Sequence, residues 1–553
     1  MEQAKQPGLL ARIRAAFNPP APQADTAQPR IGASALPGGY TGGWHGERLI
    51  NWQPGISDAN TALVPNLRDL RARSRDLVRN SPIAAGAIET KVSNVVGSGL
   101  QLKSAVDYEF LGMDEDAAEE WQTNTERRFA MWAESELADA YAQQTFAEMQ
   151  ELAFRSYMES GDCFVVLASK TRPDWPFKLA LQVIEADRVS NPQWRSDDDK
   201  MVQGIERDDE QQAVAVHLMN RHPGAAYTLR GFEWKRLELR GAKSGRRNVL
   251  HLMRKTRPGQ SRGVPELAPI IETLKQLTRY STAEVDAAVV SAAMAVFVKM
   301  DAESFQDLFD DAGQQQIIEQ AKGWDGSLAS GKAINLLPGE DVVSPAPGRP
   351  NANFEPFVQA VIGQIGMALD IPKEVLTKHF QASYSAARAA LLDAWRTFRI
   401  RRQWLATKMC QPVYEEWLAD EVANGRISAP GFFADPLVRK AWSRAQWGGD
   451  GPGALDPLKE AQAAVTRMGA GITTLDEEIV AYDGGDWQQK HRRAVAIKDE
   501  RVEDGLEAPA APDPGTPGMP GMPGTPAGKP AGKPGSKPSG DDDEGDSGAP
   551  DTE

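Results

Sequence analysis

Between Tyr384 and Trp417 the apolar residues recur with a helical period. Leu391, Trp395, Phe398, Leu405 and Met409 fall on one face at about 100° per residue, the mark of an amphipathic helix. Arg388, Arg396 and Arg399 lie along one flank of that stripe. Ser383 or Ser385 is placed to cap the start, and Ala386, Ala387, Ala389 and Ala390 favour the helix. Upstream, Phe354–Leu369 reads as another long helix that cannot run through Ile371-Pro372, because proline disfavours helix in the residue before it. The intervening Lys373–Tyr384 is polar and reads as a loop.

The rest of the pattern divides into helical and extended blocks. Leu67, Leu70, Ser74, Leu77 and Val78 share one side of a helix over Leu63–Asn80, and Pro82–Leu100 is a second helix stopped by Gly97 and Gly99. Residues 114–159 are helical again, anchored by Trp121, Phe129, Trp132 and Phe146. At Gly161-Asp162 the period changes to that of a strand, Cys163–Ala168, with further strands expected at Leu179–Ile184, Val202–Glu206, Ala213–Leu218 and Val249–Met253. Helices followed by paired strands predict an α+β domain. Leu267, Ile270, Ile271, Leu274 and Leu277 then mark a helix to about Ala295, roughly 45 Å long if unbroken at ~1.5 Å per residue. Residues 301–350 form a separate excursion with two short helices and a strand-turn-strand at Ala333–Val343. The Trp447–Tyr482 region reads as further helices: Pro457 opens one, Gly469 ends it, and Thr474-Leu-Asp-Glu477 is a capping box for the next.

The two ends differ from this core. Residues 1–40 are rich in Pro, Ala and Gln and read as a mobile arm. Past Gly505, Pro, Gly and Lys repeats lead into Asp541-Asp-Asp-Glu544, a composition that cannot bury a core and is expected to be disordered.

At 553 residues and 41% hydrophobic content the chain can bury several cores. Its net charge of −15 argues against a protein that wraps nucleic acid with its whole surface, but leaves room for a channel past which DNA slides. Arg68, Arg71, Arg73, Arg75 and Arg79 form a basic run that suits either a nucleic-acid patch or a solvated, subunit-facing surface, and the second is the commoner use. Cys163 and Cys410 share no metal-ligand spacing and read as buried thiols of a reducing compartment. No stretch approaches the ~18 apolar residues of a membrane span. Gly326–Ala333 approximates a phosphate-binding loop but has Ala333 where Ser or Thr would hold magnesium. The scattered His45, His217, His222, His251, His379 and His491 make no zinc pattern, and Asp197-Asp-Asp199 reads as a solvated turn. No catalytic residue, metal site or cofactor is expected.

Taken in order, several of these phrases resemble the lambda-type portal proteins of tailed phages. They are the helix, Arg79-Asn80 break and second helix ending in Val96-Gly-Ser-Gly99; the Gly161-Asp-x-Phe164 step; Arg262-Gly-x-Pro265 before a long helix; and Asp370-Ile-Pro372, a polar loop, Ser383-Tyr-Ser385 and an arginine-flanked helix. The resemblance spans roughly Tyr40 to Arg492 and is strongest over Asn66–Leu100 and Ala368–Trp404. It implies a portal fold: a wing of helices and strands at 41–255, a first stem helix at 256–300, a small α/β clip at 301–350 and a second stem helix at 351–372. A tunnel loop follows at 373–384, then the long arginine-flanked helix at 385–425, a helical, crown-like region at 426–504 and the tail at 505–553. It further implies a ring of twelve subunits with an axial channel for double-stranded DNA. The resemblance also implies a separate terminase that supplies the ATPase, contacts of the ring with the major capsid protein and the head-completion or tail proteins at one vertex of the virion, and assembly in the host cytoplasm. Under this resemblance Lys373, Lys378, His379 and Gln381 are the candidate tunnel-loop contacts to DNA. Arg388, Arg396 and Arg399 face either the channel or a neighbouring subunit, and Arg402, close to the apolar stripe, is expected to be paired or snorkelling. A virion-associated protease or nuclease and a non-channel adaptor are the alternatives; turnover lost on mutating a carboxylate or serine would favour the first, a different symmetry the second.

Overall fold

The structure, a computed structural model, describes residues 51–226, 231–293, 297–300, 340–343, 352–380, 383–452, 457–483 and 487–506. Two units divide the chain, Met1–Trp487 and Gln488–Glu553. The expected arm at 1–40, most of the clip, the near-miss phosphate loop and most of the tail lie outside the described residues.

Helix α1 (Ala59–Asn80) begins four residues before the expected start, because Asp58 caps it by accepting from Asn60 N at 2.9 Å, with Pro65 carried inside. Its core face is Leu63, Leu67, Arg71, Ser74 and Leu77. Helix α2 (Pro82–Val95) has proline in its first turn and ends ahead of Gly97, whose φ of 58° is left-handed. Strand β1 (Gln101–Ser104) and the short α3 (Tyr108–Leu111) lead into α4 (Glu115–Ala133) and α5 (Phe146–Ser160). A complete capping box, Thr145 with Glu148, starts α5, and left-handed Gly161 ends it.

Two antiparallel sheets follow. β2 (Asp162–Ser169), β3 (Leu179–Glu185) and, later, β8 (Val249–Met253) form an antiparallel sheet in the order β3-β2-β8. Between them β4 (Met201–Val202), β5 (Ile205–Arg207), β6 (Ala213–Met219) and β7 (Trp234–Glu238) make a four-stranded antiparallel sheet in sequence order. The single strand expected at Val202–Glu206 is therefore a hairpin. Gly204, at φ 80°, sits so close to Ser190 that a Cβ would meet its backbone nitrogen at 2.5 Å.

The long helix α6 runs Ile271–Ala293, preceded by a 3-10 turn at Ala268–Ile270. Its 23 residues span about 34 Å at ~1.5 Å each, short of the unbroken length expected. Strands β9 (Phe297–Met300) and β10 (Glu340–Val343) pair antiparallel at the mouth of the excursion. Helix α7 (Phe354–Leu369) returns beside α6, with Tyr280 against Phe354 and Phe357 at 5.6 and 5.1 Å. Next come α8 (Lys373–Thr377), α9 (Tyr384–Leu405), a π-helical turn at Ala406–Cys410 and α10 (Gln411–Ala423). Helix α11 (Pro436–Trp442) is followed by β11 (Ala445–Gly448), then α12 (Pro457–Gly469), α13 (Leu475–Asp483) and α14 (Trp487–Glu503). Trp447, expected in a helix, lies in β11, which pairs antiparallel with β1. Thr474 caps α13 as expected, accepting from Glu477 N at 3.3 Å.

The main core joins α2, α4, α5, β2 and β3 to α9 and α10, with Phe129 in edge-to-face contact with Phe146, Tyr414 and Trp417. Cys163 and Cys410 are both buried and unlinked, and burial pushes both thiols well above their ordinary pKa. No helix among the described residues is long and apolar enough to cross a membrane.

Candidate functional site

The segment between α7 and α9, expected to be a loop, is a built elbow. Gly366 comes so close to Ile371 that a Cβ would lie 2.6 Å from the Ile371 carbonyl oxygen, and Ile371 N donates to Gly366 O at 2.9 Å. Asp370 takes the left-handed conformation that ends α7 (φ 61°). Pro372 then opens a new helical turn rather than a loop: α8 is pinned by the buried Val375 and Leu376 and closed by left-handed Lys378. Ser383 Oγ accepts from Ala386 N at 3.4 Å to start α9.

This geometry holds Lys373, Lys378 and His379 on the exposed outer side of the elbow, where no described ion pair engages their side chains. Gln381 lies outside the described residues. Arg396 and Arg399 are exposed and Arg388 is half-buried on α9, again without a described ion pair. Within about 80° of helix surface at ~100° per residue the three share one flank. The elbow and this flank are therefore two separate groups of cations along one continuous piece of chain.

Arg402 does something else. Its guanidinium donates to Asn94 O (2.9 Å), Val95 O (3.0 Å), Gly449 O (3.1 Å) and Asp450 O (2.8 Å), and lies 5.4 Å from the Trp395 ring. It thereby satisfies carbonyls at the C-terminus of α2, which carry the negative end of the helix dipole. Gly449 packs against it, and a Cβ there would meet Arg402 Cζ at 3.2 Å. The residue is paired, as expected, but with backbone.

Two buried charge clusters hold the segment entering α6, the first against α2, α5 and α9 and the second against α1 and the strands. In the first, Glu266 accepts from Lys91 Nζ (3.1 Å) and Tyr157 OH (2.8 Å) and faces Arg401 at 3.4 Å. Burial raises the pKa of a carboxyl, but Lys91 and Arg401 outweigh it and bring Glu266 down to about 2. Because this folded-state value lies below the ordinary 4.5, the stability it confers is fully present above about pH 4.5 and is lost as pH falls towards 2. At ~1.36 kcal/mol per unit the loss is roughly 3 kcal/mol. Denaturation of wild type and Glu266→Gln between pH 6 and 2.5 is expected to show a gap that closes on acidification. A gap constant with pH would refute the assignment.

The second cluster surrounds Asp162, which is fully buried. Arg71 Nη2 (2.7 Å), Arg262 Nε (2.6 Å), His251 Nε2 (3.2 Å) and Gly263 N (3.2 Å) all converge on its carboxylate. Arg262 also donates to Ala186 O, Val189 O and Gln203 O at 2.7 to 2.9 Å, so it ties the three- and four-stranded sheets to the chain entering α6. Burial alone would raise Asp162, yet Arg262 and Arg71 hold it far below the carboxylate range. The arginine run of α1, expected to be solvated or subunit-facing, thus sends Arg71 into the core; half-buried Arg75 pairs with Asp187 and Glu185. Asp197 and Asp198 are taken up by turn bonds from Asn191, Gln203 and Met201.

A family model described as phage portal protein, lambda family, matches residues 45–402, which takes in both larger sheets, α6, α7, the elbow and all but the last turn of α9. The chain belongs to that family. Portal protein B of Escherichia phage lambda is 28% identical over 493 residues, 85% of this chain and 91% of the phage protein. The portal protein of Escherichia phage N15 is 27% identical over 488 residues, with the same shares. A chain in the neck of an empty GTA particle, computed with C6 symmetry, gives a TM-score of 0.44 at 12% identity over 74% of this chain and 94% of its own. The family's α+β fold accounts for the order in which the sequence phrases occur. Asp162 and Arg262, the buried pair, belong to two of those phrases, Gly161-Asp-x-Phe164 and Arg262-Gly-x-Pro265. The sequence marks both phrases but nothing in it joins the two residues. A lone Asp opening a β-branched strand and a lone Arg between glycine-rich turns were the available signal.

Proposed function

We propose that this chain is the subunit of a ring, of about twelve copies, that forms the portal at one vertex of a virion. Double-stranded DNA enters the head through its axial channel, driven by a terminase, and leaves the same way; head-completion or tail proteins attach below, and the major capsid protein surrounds it. The protein's work on this reading is geometric rather than catalytic, because closed cyclic symmetry creates an axial pore. Membership of the lambda portal family carries the reading. The elbow supports it: Lys373, Lys378 and His379 are exposed on a turn anchored by the buried Val375 and Leu376, suited to weak, sequence-independent contacts with passing phosphates. By its place in the sequence Gln381 joins the proposed contacts.

Electron microscopy of the purified protein tests the architecture, with class averages viewed down the symmetry axis. A ring of about twelve with an open pore is expected; a compact dimer without a pore would sink the reading. Within such rings, Lys373→Glu with Lys378→Glu is expected to leave assembly intact and lower the DNA packaged per particle. Undiminished packaging would remove the elbow from the channel.

A further inference from the structure

We infer that the arginine flank of α9 is a contact surface for a second copy of this chain rather than a lining of the DNA channel. The flank is not purely basic. Leu392 and Ile400, each 62% exposed, stand among Arg388, Arg396 and Arg399, all within roughly 120° of helix surface at ~100° per residue. From Arg388 to Gln403 the stripe is about 22 Å long at ~1.5 Å per residue. A surface past which DNA slides has no use for exposed aliphatic side chains, whereas arginines interleaved with apolar residues are characteristic of protein interfaces.

Charge decides what the partner presents. A stripe with three arginines repels its own image, which disfavours a two-fold contact of like with like. It suits a heterologous contact, in which one face meets a different face of the next copy, the kind that closes into rings. The chain supplies the complement: it carries a net −15, and Glu115, Asp116 and Glu120 on α4 are exposed with no described ion pair. A second copy is therefore the occupant with the required chemistry.

This inference rests on the ring reading, and its test separates the two. Full-length wild type, Leu392→Asp with Ile400→Asp, and Arg396→Glu with Arg399→Glu are compared by native mass spectrometry and electron microscopy. Melting of the monomer serves as the fold control, since Leu392, Ile400, Arg396 and Arg399 are all exposed in the subunit. Expected is a tenfold or greater fall in the ring fraction of both variants with unchanged monomer melting. Rings as abundant as wild type in both would overturn the inference and leave the portal reading standing. Normal rings with lost DNA packaging would also overturn it, and would assign the stripe to the channel. A wild type that forms no ring under any assembly condition would overturn both.

Discussion

Asp162→Ala is expected to destabilise the subunit by at least about 3–5 kcal/mol, the loss seen when one partner of a buried ion pair is removed. Two guanidiniums would be stranded, not one. Arg71 and Arg262 have side chains only 5% and 1% exposed, and neither can shed its proton in the physiological range. His251 would lose its acceptor as well. Its ring stacks on Phe164 at 4.3 Å, and burial, with the two arginines, already depresses its pKa. Asp162→Asn, which keeps the shape but not the charge, should fall between wild type and alanine. The triple replacement Asp162→Leu, Arg71→Met, Arg262→Met should recover part of the loss, because an apolar cluster of similar volume has no unpaired charge to solvate. Denaturant titration followed by tryptophan fluorescence reads all three. An alanine variant within about 1 kcal/mol of wild type would mean that water reaches the cluster and that the network contributes little.

What the sequence disclosed and what it hid follow from the range of the forces involved. The α9 stripe, the α7 stop at Pro372, the capping of α13 at Thr474 and the change of period at Gly161 are local, each written within a few residues. Hence they were legible. The β1–β11 pairing was not, since Ser98 and Asp450, which tie it together, are 352 residues apart and each strand is only four residues long. The elbow was half legible. Its boundaries were marked by proline and Ser383, but the helical turn α8 depends on burying Val375 and Leu376 in the tertiary core, which no local period encodes. For the candidate site, charge type and position along the chain were readable, whereas the division of labour among the arginines was not. Arg71, Arg388, Arg396, Arg399, Arg401 and Arg402 look alike in sequence. Tertiary partners separate Arg71, which ties α1 to Asp162, Arg401, which faces Glu266, and Arg402, which caps α2, from the exposed Arg396 and Arg399.

Gly263→Ala is expected to cost as much as the loss of the Asp162 charge, through shape alone. A Cβ at Gly263 would lie 1.8 Å from the Gly161 carbonyl oxygen and 2.3 Å from its carbon. Both are backbone atoms, so no rotamer change relieves the clash. Gly161 is fixed in turn: its φ is 86°, it ends α5, and a Cβ on it would meet Gly263 C at 2.5 Å. The two glycines therefore let two backbones touch where the α5–β2 step meets the segment entering α6. Moving them apart would also lengthen the Gly263 N to Asp162 bond (3.2 Å) and pull Arg262 from its carbonyls. Overpacking a well-filled site costs about 1–3 kcal/mol, and more where backbone must move; with the coupled loss at Asp162 the expected total is about 3 kcal/mol or above. Because both changes act on one network, Gly263→Ala combined with Asp162→Ala should be far less destabilising than the sum of the two. Strict additivity in a double-mutant cycle would show that the glycine contact and the buried charge act independently, and that the two sequence phrases are not coupled through this network.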